Sequence, residues 1–178
     1  YIRQAQAYRR GDYVEKIKIA MERRTAIFDI LAKYQDAERH EKSVEERRDE
    51  YYPFQVYCES CGTDNTRVVG YGSDGARVSY CCDQCGHADS FSLDEKCPGK
   101  LVWKVDWPMR WTVEGVDFEP GGEDHSSPGG SYTVGKSIVA EIFSGQAPYY
   151  AGYAFVGMTG RSKISSSAGT SATPRAAL

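Results

Sequence analysis

No stretch of this chain approaches the roughly 20 consecutive apolar residues that a bilayer-spanning helix requires. Nor do its first residues show the charged, apolar and small-residue succession of a secretory signal. Those gaps leave a soluble, cytoplasmic protein as the expectation, with no membrane partner. An excess of basic charge is missing too. The 22 Lys and Arg against 25 Asp and Glu give a formal charge of -3, which excludes a chain-wide basic surface for non-specific nucleic-acid binding and leaves room only for a local patch. Cysteine is not scarce. There are six, and four of them form two CxxC pairs, which in an intracellular setting read as metal ligands before disulfides.

Three compositions follow one another along the chain. Over residues 1–50, Val14, Ile17, Ala20, Met21, Ile27, Phe28, Leu31 and Tyr34 recur at helical spacing, with Asp12 and Glu15 as a capping pair, and this predicts one helix with a buried stripe. From Gln35 to Glu50 the stripe gives way to mixed charge, the pattern of a solvated helical face or a fraying end. Tyr51-Tyr52-Pro53 breaks that pattern and opens a cysteine-bearing unit over residues 51–99. Inside it, two β-prone runs, residues 66–71 and 76–80, flank Gly72-Ser73-Asp74-Gly75 as a hairpin. Residues 100–178 alternate β-prone runs at 101–105, 116–118 and 154–156 with one helix near 133–143, the order of an α/β layer. The last twenty residues have the composition of a tail.

CESCG and CDQCG supply Cys58, Cys61, Cys82 and Cys85, each pair closed by a glycine and separated by twenty residues. Two thiolates two residues apart reach one tetrahedral ion, and four sulfurs leave no open coordination position, so the predicted role of a Zn2+ here is structural. Cys81 competes with Cys82 for the third position. A ribbon this small has too little core to hold itself and draws folding energy from its metal. Cys97 stands outside the pattern as a free buried thiol.

Two phosphate-binding patterns compete. Residues 130–137, GSYTVGKS, satisfy GxxxxGK[ST] letter for letter, the P-loop of an NTPase. That device needs a strand running straight into the loop, and the nearest candidate ends eleven residues upstream. Lys136 is therefore expected on the first turns of a helix. The second pattern is KISSS at 163–167, a lysine in a serine tract.

KISSS resembles the KMSKS signature of class I aminoacyl-tRNA synthetases. GKLVWKVDWPMRW (99–111), VDFEPGGEDH (116–125), GGSYTVGK (129–136) and FVGMTGRSKISSSAG (155–169) are similar, in order and interval, to class I lysyl-tRNA synthetases. The resemblance implies an α/β, Rossmann-like catalytic domain, present in part, with an inserted helical segment and a small zinc ribbon. It implies ATP with Mg2+, lysine and tRNA(Lys) as ligands. Lys163 would meet the β- and γ-phosphates, with Ser165, Ser166 and Ser167 bonding beside it. Trp103, His125 and Tyr153 stand at positions that line the family's amino-acid pocket. Asp106 and Trp107 supply an acid and an aromatic face of the kind an ammonium ligand needs, though Asp106 serves equally as an ion-pair partner of Arg110, and Trp111 as a core residue. Glu123-Asp124-His125 resembles the family's GKDH segment at the nucleotide's edge.

Two departures bear on activity. None of the three histidines, His40, His87 and His125, lies in the HxGH setting that class I enzymes use for ATP, and Ala168 stands where a lysine often follows the serines. The resemblance places HxGH upstream of the helical insertion, so the chain reads as an internal segment, inactive alone. A non-catalytic synthetase paralogue, a zinc-ribbon RNA-binding module and a P-loop NTPase remain the alternatives.

Overall fold

A computed structural model describes residues 2–34, 41–72 and 76–154. The N-terminal part is three short helices, α1 (Gln4–Arg10), α2 (Val14–Glu22) and α3 (Arg24–Ala32). Gly11, at φ 81°, ends α1 in the left-handed region and donates to the carbonyls of Ala7 and Tyr8. The single helix expected across residues 14–34 is broken at Arg23, which leaves helical geometry at φ -98°, ψ 20°. Its guanidinium donates instead to the Glu141 carbonyl at 2.7 Å, on another helix. The break turns α3 so that Ile27, Phe28 and Ile30 are buried. The expected Asp12 cap is absent: Tyr13 is the N-cap of α2 with no side-chain bond, and Asp12 pairs with Arg10 at 2.5 Å.

Of the charged stretch, 35–40 lies outside the described residues. Val44–Glu50 forms α4, wholly unburied, opened by a capping box in which Ser43 Oγ accepts from Glu46 N–H while Glu46 accepts from Ser43 N–H. The ribbon then opens with β1 (Phe54–Val56). The hairpin is formed by β2 (Thr66–Gly72) and β3 (Arg77–Cys82), and β4 (Ala88–Ser92) adds an antiparallel third strand. A bulge between Val68 and Gly70 leaves Val69 exposed. β5 (Gly99–Leu101) returns antiparallel to β1, closing the unit at Leu101.

The β-prone run at 101–105 stays in strand only to Leu101. Trp103–Glu114 is a helix, α5, with Pro108 inside it. Trp103, Trp107 and Trp111 recur every four residues, so one helical face carries all three indoles, a period that outweighs their individual β-propensity. Next come β6 (Phe118–Gly122), a 3-10 turn at Glu123–His125, α6 (Ser131–Glu141) and β7 (Tyr149–Tyr153). β6 and β7 pair in parallel, Phe118 with Tyr149 through Gly122 with Tyr153, and α6 is their crossover. This β-α-β unit is the α/β element of the chain.

A continuous core joins the parts: Tyr8, Ile17 and Ile27 from the helices, Phe54, Val78 and Phe91 from the ribbon, and Met109 and Ile138 from α5 and α6 are buried in one cluster. Trp107, Trp111 and Val139 form a second cluster, with Tyr132 packed against it. Among the described residues no helix is long and apolar enough to cross a membrane.

Candidate functional site

Trp107 of the second cluster also lines a pocket of about 290 Å³, formed by residues of α5, β6, the 3-10 turn and β7, among them Trp103, Arg110, Glu119, His125 and Tyr153. Trp103 stacks on Trp107 with ring centroids 5.2 Å apart and planes 19° from parallel, and the His125 ring meets Trp107 edge-on at 5.4 Å. Four residues anticipated from the sequence, Trp103, Trp107, His125 and Tyr153, thus share one cavity although 50 positions separate the first from the last. Trp103 remains 49% exposed while its Nε1 donates to Ser131 Oγ at 3.1 Å, which fixes the ring at the mouth. Stacked and edge-on aromatic faces suit the aliphatic stem of an amino acid and attract a terminal cation.

Beside His125 and Tyr153, the polar side chains of the pocket are Arg110 and Glu119. Arg110 lies over the Trp103 ring at 5.5 Å and pairs with Asp106 at 2.9 Å, one helical turn back. Glu119 Oε2 accepts from two indoles at once, Trp107 Nε1 and Trp111 Nε1, each at 3.0 Å. Sequence reasoning passed over Glu119, because the β-prone run expected there ends at Phe118, one residue short of it, and the period of four in Trp103, Trp107 and Trp111 points to a partner only once they share a helical face.

Asp106 is not among the lining residues. It turns to the helical segment, where it accepts from the Tyr8 hydroxyl, and the same hydroxyl accepts from Leu101 N–H at 3.1 Å. Burial pushes the Asp106 carboxyl above its ordinary range, while the Tyr8 donor and Arg110 pull the other way. Desolvation and the neighbouring Asp106 drive the Tyr8 hydroxyl far above 10.0. Asp124 is exposed on the 3-10 turn, its carbonyl accepting from Ser127 Oγ at 2.8 Å.

GSYTVGKS does not form a P-loop. Gly130 is the N-cap of α6 and Ser131–Ser137 are already helical, so no loop of converging N–H groups precedes the helix. Gly135 serves packing instead, since a Cβ there would stand 2.7 Å from the Trp111 ring. Lys136 is exposed on α6, its ammonium 5.7 Å from the Tyr132 ring centre. Lys163, Ser165, Ser166 and Ser167 lie outside the described residues.

Away from the pocket, the ligand atoms of Cys58, Cys61, Cys82 and Cys85 all lie within 4.8 Å of one another. Cys58 and Cys85 sulfurs are 3.7 Å apart, as are those of Cys61 and Cys82, and none is in a disulfide. Two turns of the same design hold them: Gly62 N–H donates to the Cys58 carbonyl at 2.8 Å and Gly86 N–H to that of Cys82 at 2.9 Å, with both glycines at φ 74°. A tetrahedral ion with sulfur ligands at ~2.3 Å needs sulfur separations of ~3.8 Å, so the donor set fits one. Burial opposes ionisation of Cys58, but the N–H groups of Cys61 and Ser60 and the neighbouring thiols outweigh it and bring that thiol down to about 6. Cys81, on the opposite face of β3, is outside the cluster. Cys97 is a free thiol pushed up to about 11 by burial.

A family model described as tRNA synthetases class I (K) matches residues 1–178. The chain belongs to that family. As a class I synthetase segment it is 42% identical to the lysine-tRNA ligase of Streptomyces coelicolor over 99% of its own length and 34% of that protein. It is 38% identical to the lysine-tRNA ligase of Borreliella burgdorferi, covering 95% of the segment and 30% of the relative. With lysine-tRNA ligase 1 of Methanosarcina acetivorans it shares 38% over 94% and 30% respectively. The chain spans about a third of the length of the curated relatives it matches. The α/β unit, the helical segment and the ribbon are therefore those of a partial class I synthetase domain.

Proposed function

We propose that this segment forms the amino-acid side of the active site in a lysine-tRNA ligase, with residues 1–50 as the helical insertion, 51–99 as the ribbon and 100–178 as the second half of the catalytic domain. The observation that carries the reading is the convergence of Trp103, Trp107, His125 and Tyr153 on one pocket in a chain of this family. In the reaction a lysine carboxylate oxygen bonds to the α-phosphorus of ATP, the bond to the β-phosphate breaks and pyrophosphate leaves. The terminal adenosine 2'-hydroxyl of tRNA(Lys) then attacks the lysyl carbonyl and AMP leaves.

The chain's own residues bind and orient. The indole faces hold the substrate's methylene stem, His125 and Tyr153 offer polar contacts to its ends, and Asp124 stands at the nucleotide's edge. Lys163 neutralises charge developing on the β- and γ-phosphates of Mg2+-bound ATP, with Ser165, Ser166 and Ser167 as hydrogen-bonding neighbours. Zn2+ held by Cys58, Cys61, Cys82 and Cys85 stabilises the ribbon and takes no part in bond breaking. The setting is the cytoplasm.

Lysine-dependent ATP-pyrophosphate exchange by the complete polypeptide that carries this segment is the test. Exchange with lysine, lost on Lys163→Ala and kept on Lys136→Ala, is the expected result. Exchange with a different amino acid would overturn the specificity, and no exchange with any would leave a non-catalytic paralogue.

A further inference from the structure

We propose that Glu119 is the positioning residue of this pocket, a carboxylate that sets the planes of Trp107 and Trp111 and, through Trp107, the wall on which the substrate's side chain rests. The identity of that substrate rests on the ligase reading above; the clamp itself rests on geometry.

An indole ring buried against others can swing about its side-chain torsions unless its single N–H is tied down, and a buried N–H left without an acceptor is costly. Trp107 and Trp111 are both buried, and both N–H groups end on the same oxygen, Glu119 Oε2, at 3.0 Å each. The rings they fix meet at 5.3 Å with planes 56° apart. Trp107 is the hub of the pocket: Trp103 stacks on one side of it, and the His125 and Tyr132 rings meet it edge-on. Turning Trp107 therefore displaces three neighbours.

Glu119 is itself held by a strand, not a loop. Its backbone pairs with Tyr150 in the β6–β7 register, and alternation along β6 sends Glu119 and Gly121 toward the helices while Phe118 and Pro120 stay exposed. Gly121 is buried, and a Cβ there would come 2.7 Å from the Tyr150 ring, so the strand cannot shift without moving that ring. Among the described residues no cation forms an ion pair with Glu119; the nearby Arg110 is taken by Asp106. Two indole donors, not a salt bridge, are what this carboxylate serves, and charge assistance strengthens both bonds.

The test uses the complete polypeptide, with lysine and ATP varied separately in the exchange reaction. Glu119→Ala is expected to raise KM for lysine by about tenfold or more and leave KM for ATP within about twofold, a split that global loosening of the fold would not produce. Glu119→Gln, whose amide oxygen still accepts two N–H groups, is expected to return KM for lysine to within about threefold of the unaltered protein. Tryptophan emission provides a readout independent of activity: Glu119→Ala shifts it to the red and makes it more accessible to acrylamide, and Glu119→Gln does so far less. Unchanged KM for lysine in Glu119→Ala overturns the proposal, and so does equal damage by Gln and Ala, which would assign the effect to negative charge and not to the acceptor. If the unaltered protein shows no lysine-dependent exchange, the ligase reading falls, and identical emission and quenching in Glu119→Ala and the unaltered protein would then overturn the clamp by itself.

Discussion

Asp106 carries a carboxylate where little water reaches it, its side chain only 14% exposed, and the groups around it decide whether that is tolerable. Burial raises its affinity for a proton; the Tyr8 hydroxyl and the Arg110 guanidinium favour the charged form but do not cancel the effect. Tyr8 does double duty, because the hydroxyl that donates to Asp106 also accepts from Leu101 N–H. Tyr8→Phe is therefore expected to cost about 1–3 kcal/mol, the range for leaving a buried group without its partner, read from the urea midpoint at constant slope. The pH sign follows from the raised value. Folded Asp106 binds its proton more tightly than unfolded Asp106, so this group's contribution to stability falls as pH rises from the ordinary value of 3.8 through the folded one. Tyr8→Phe removes a donor to the charged form and extends that decline to higher pH. A loss of stability independent of pH across this range would show that Asp106 is not the group affected.

At the scale of elements, the ribbon was the part most legible in sequence. Its turns are closed by residues adjacent in the chain, cysteine at one end and glycine at the other, so spacing alone specified them. What spacing left open was Cys81 against Cys82, and strand register closes it: Cys82 pairs with Thr66 at the end of β3 and points into the sulfur cluster, while Cys81 pairs with Arg67 and Ala88 and faces away. Cys82→Ser is expected to abolish stoichiometric zinc and unfold the ribbon, and Cys81→Ser to keep both, by elemental analysis alongside near-ultraviolet dichroism. Retained zinc in Cys82→Ser would reverse the assignment. Elements fixed by distant partners were less legible. The first turn of α5 falls in the β-prone run 101–105 because Val102, Trp103 and Val105 favour that state, whereas the helix is fixed by burying Trp107 and Trp111 against α6 and by their bonds to Glu119 of β6. The break at Arg23 depends on an acceptor 118 positions away. In the pocket the same contrast holds: Trp103, His125 and Tyr153 came from a motif resemblance, while Glu119 becomes conspicuous only when α5 is seen to be a helix with its indoles on one face.

The β6–β7 unit sets how the whole molecule behaves. A parallel sheet is ordinarily covered on both faces; among the described residues this one has two strands, with α5 and α6 against the side that carries Glu119 and Tyr150. On the other side Phe118 and Tyr149 stack on each other, 56% and 74% exposed. The segment spans about a third of its relatives' length, so in those relatives further chain is available to cover the corresponding face. Expressed by itself, the 178-residue segment presents, among its described residues, an apolar patch beside the outer edges of a two-stranded sheet, the combination that drives edge-to-edge association. It is therefore expected to self-associate with rising concentration in sedimentation velocity and to bind an apolar dye. Tyr149→Lys places a charge on the strand edge and removes the outer half of the stacked pair, without touching the buried face that carries Glu119 and Tyr150, so it is expected to shift the segment toward monomer. Conversely, in the complete polypeptide the same substitution should be damaging, because the lysine would then be buried where Tyr149 was covered. A segment that stays monomeric at all concentrations, or one whose association Tyr149→Lys leaves unchanged, would mean that this face does not need covering chain.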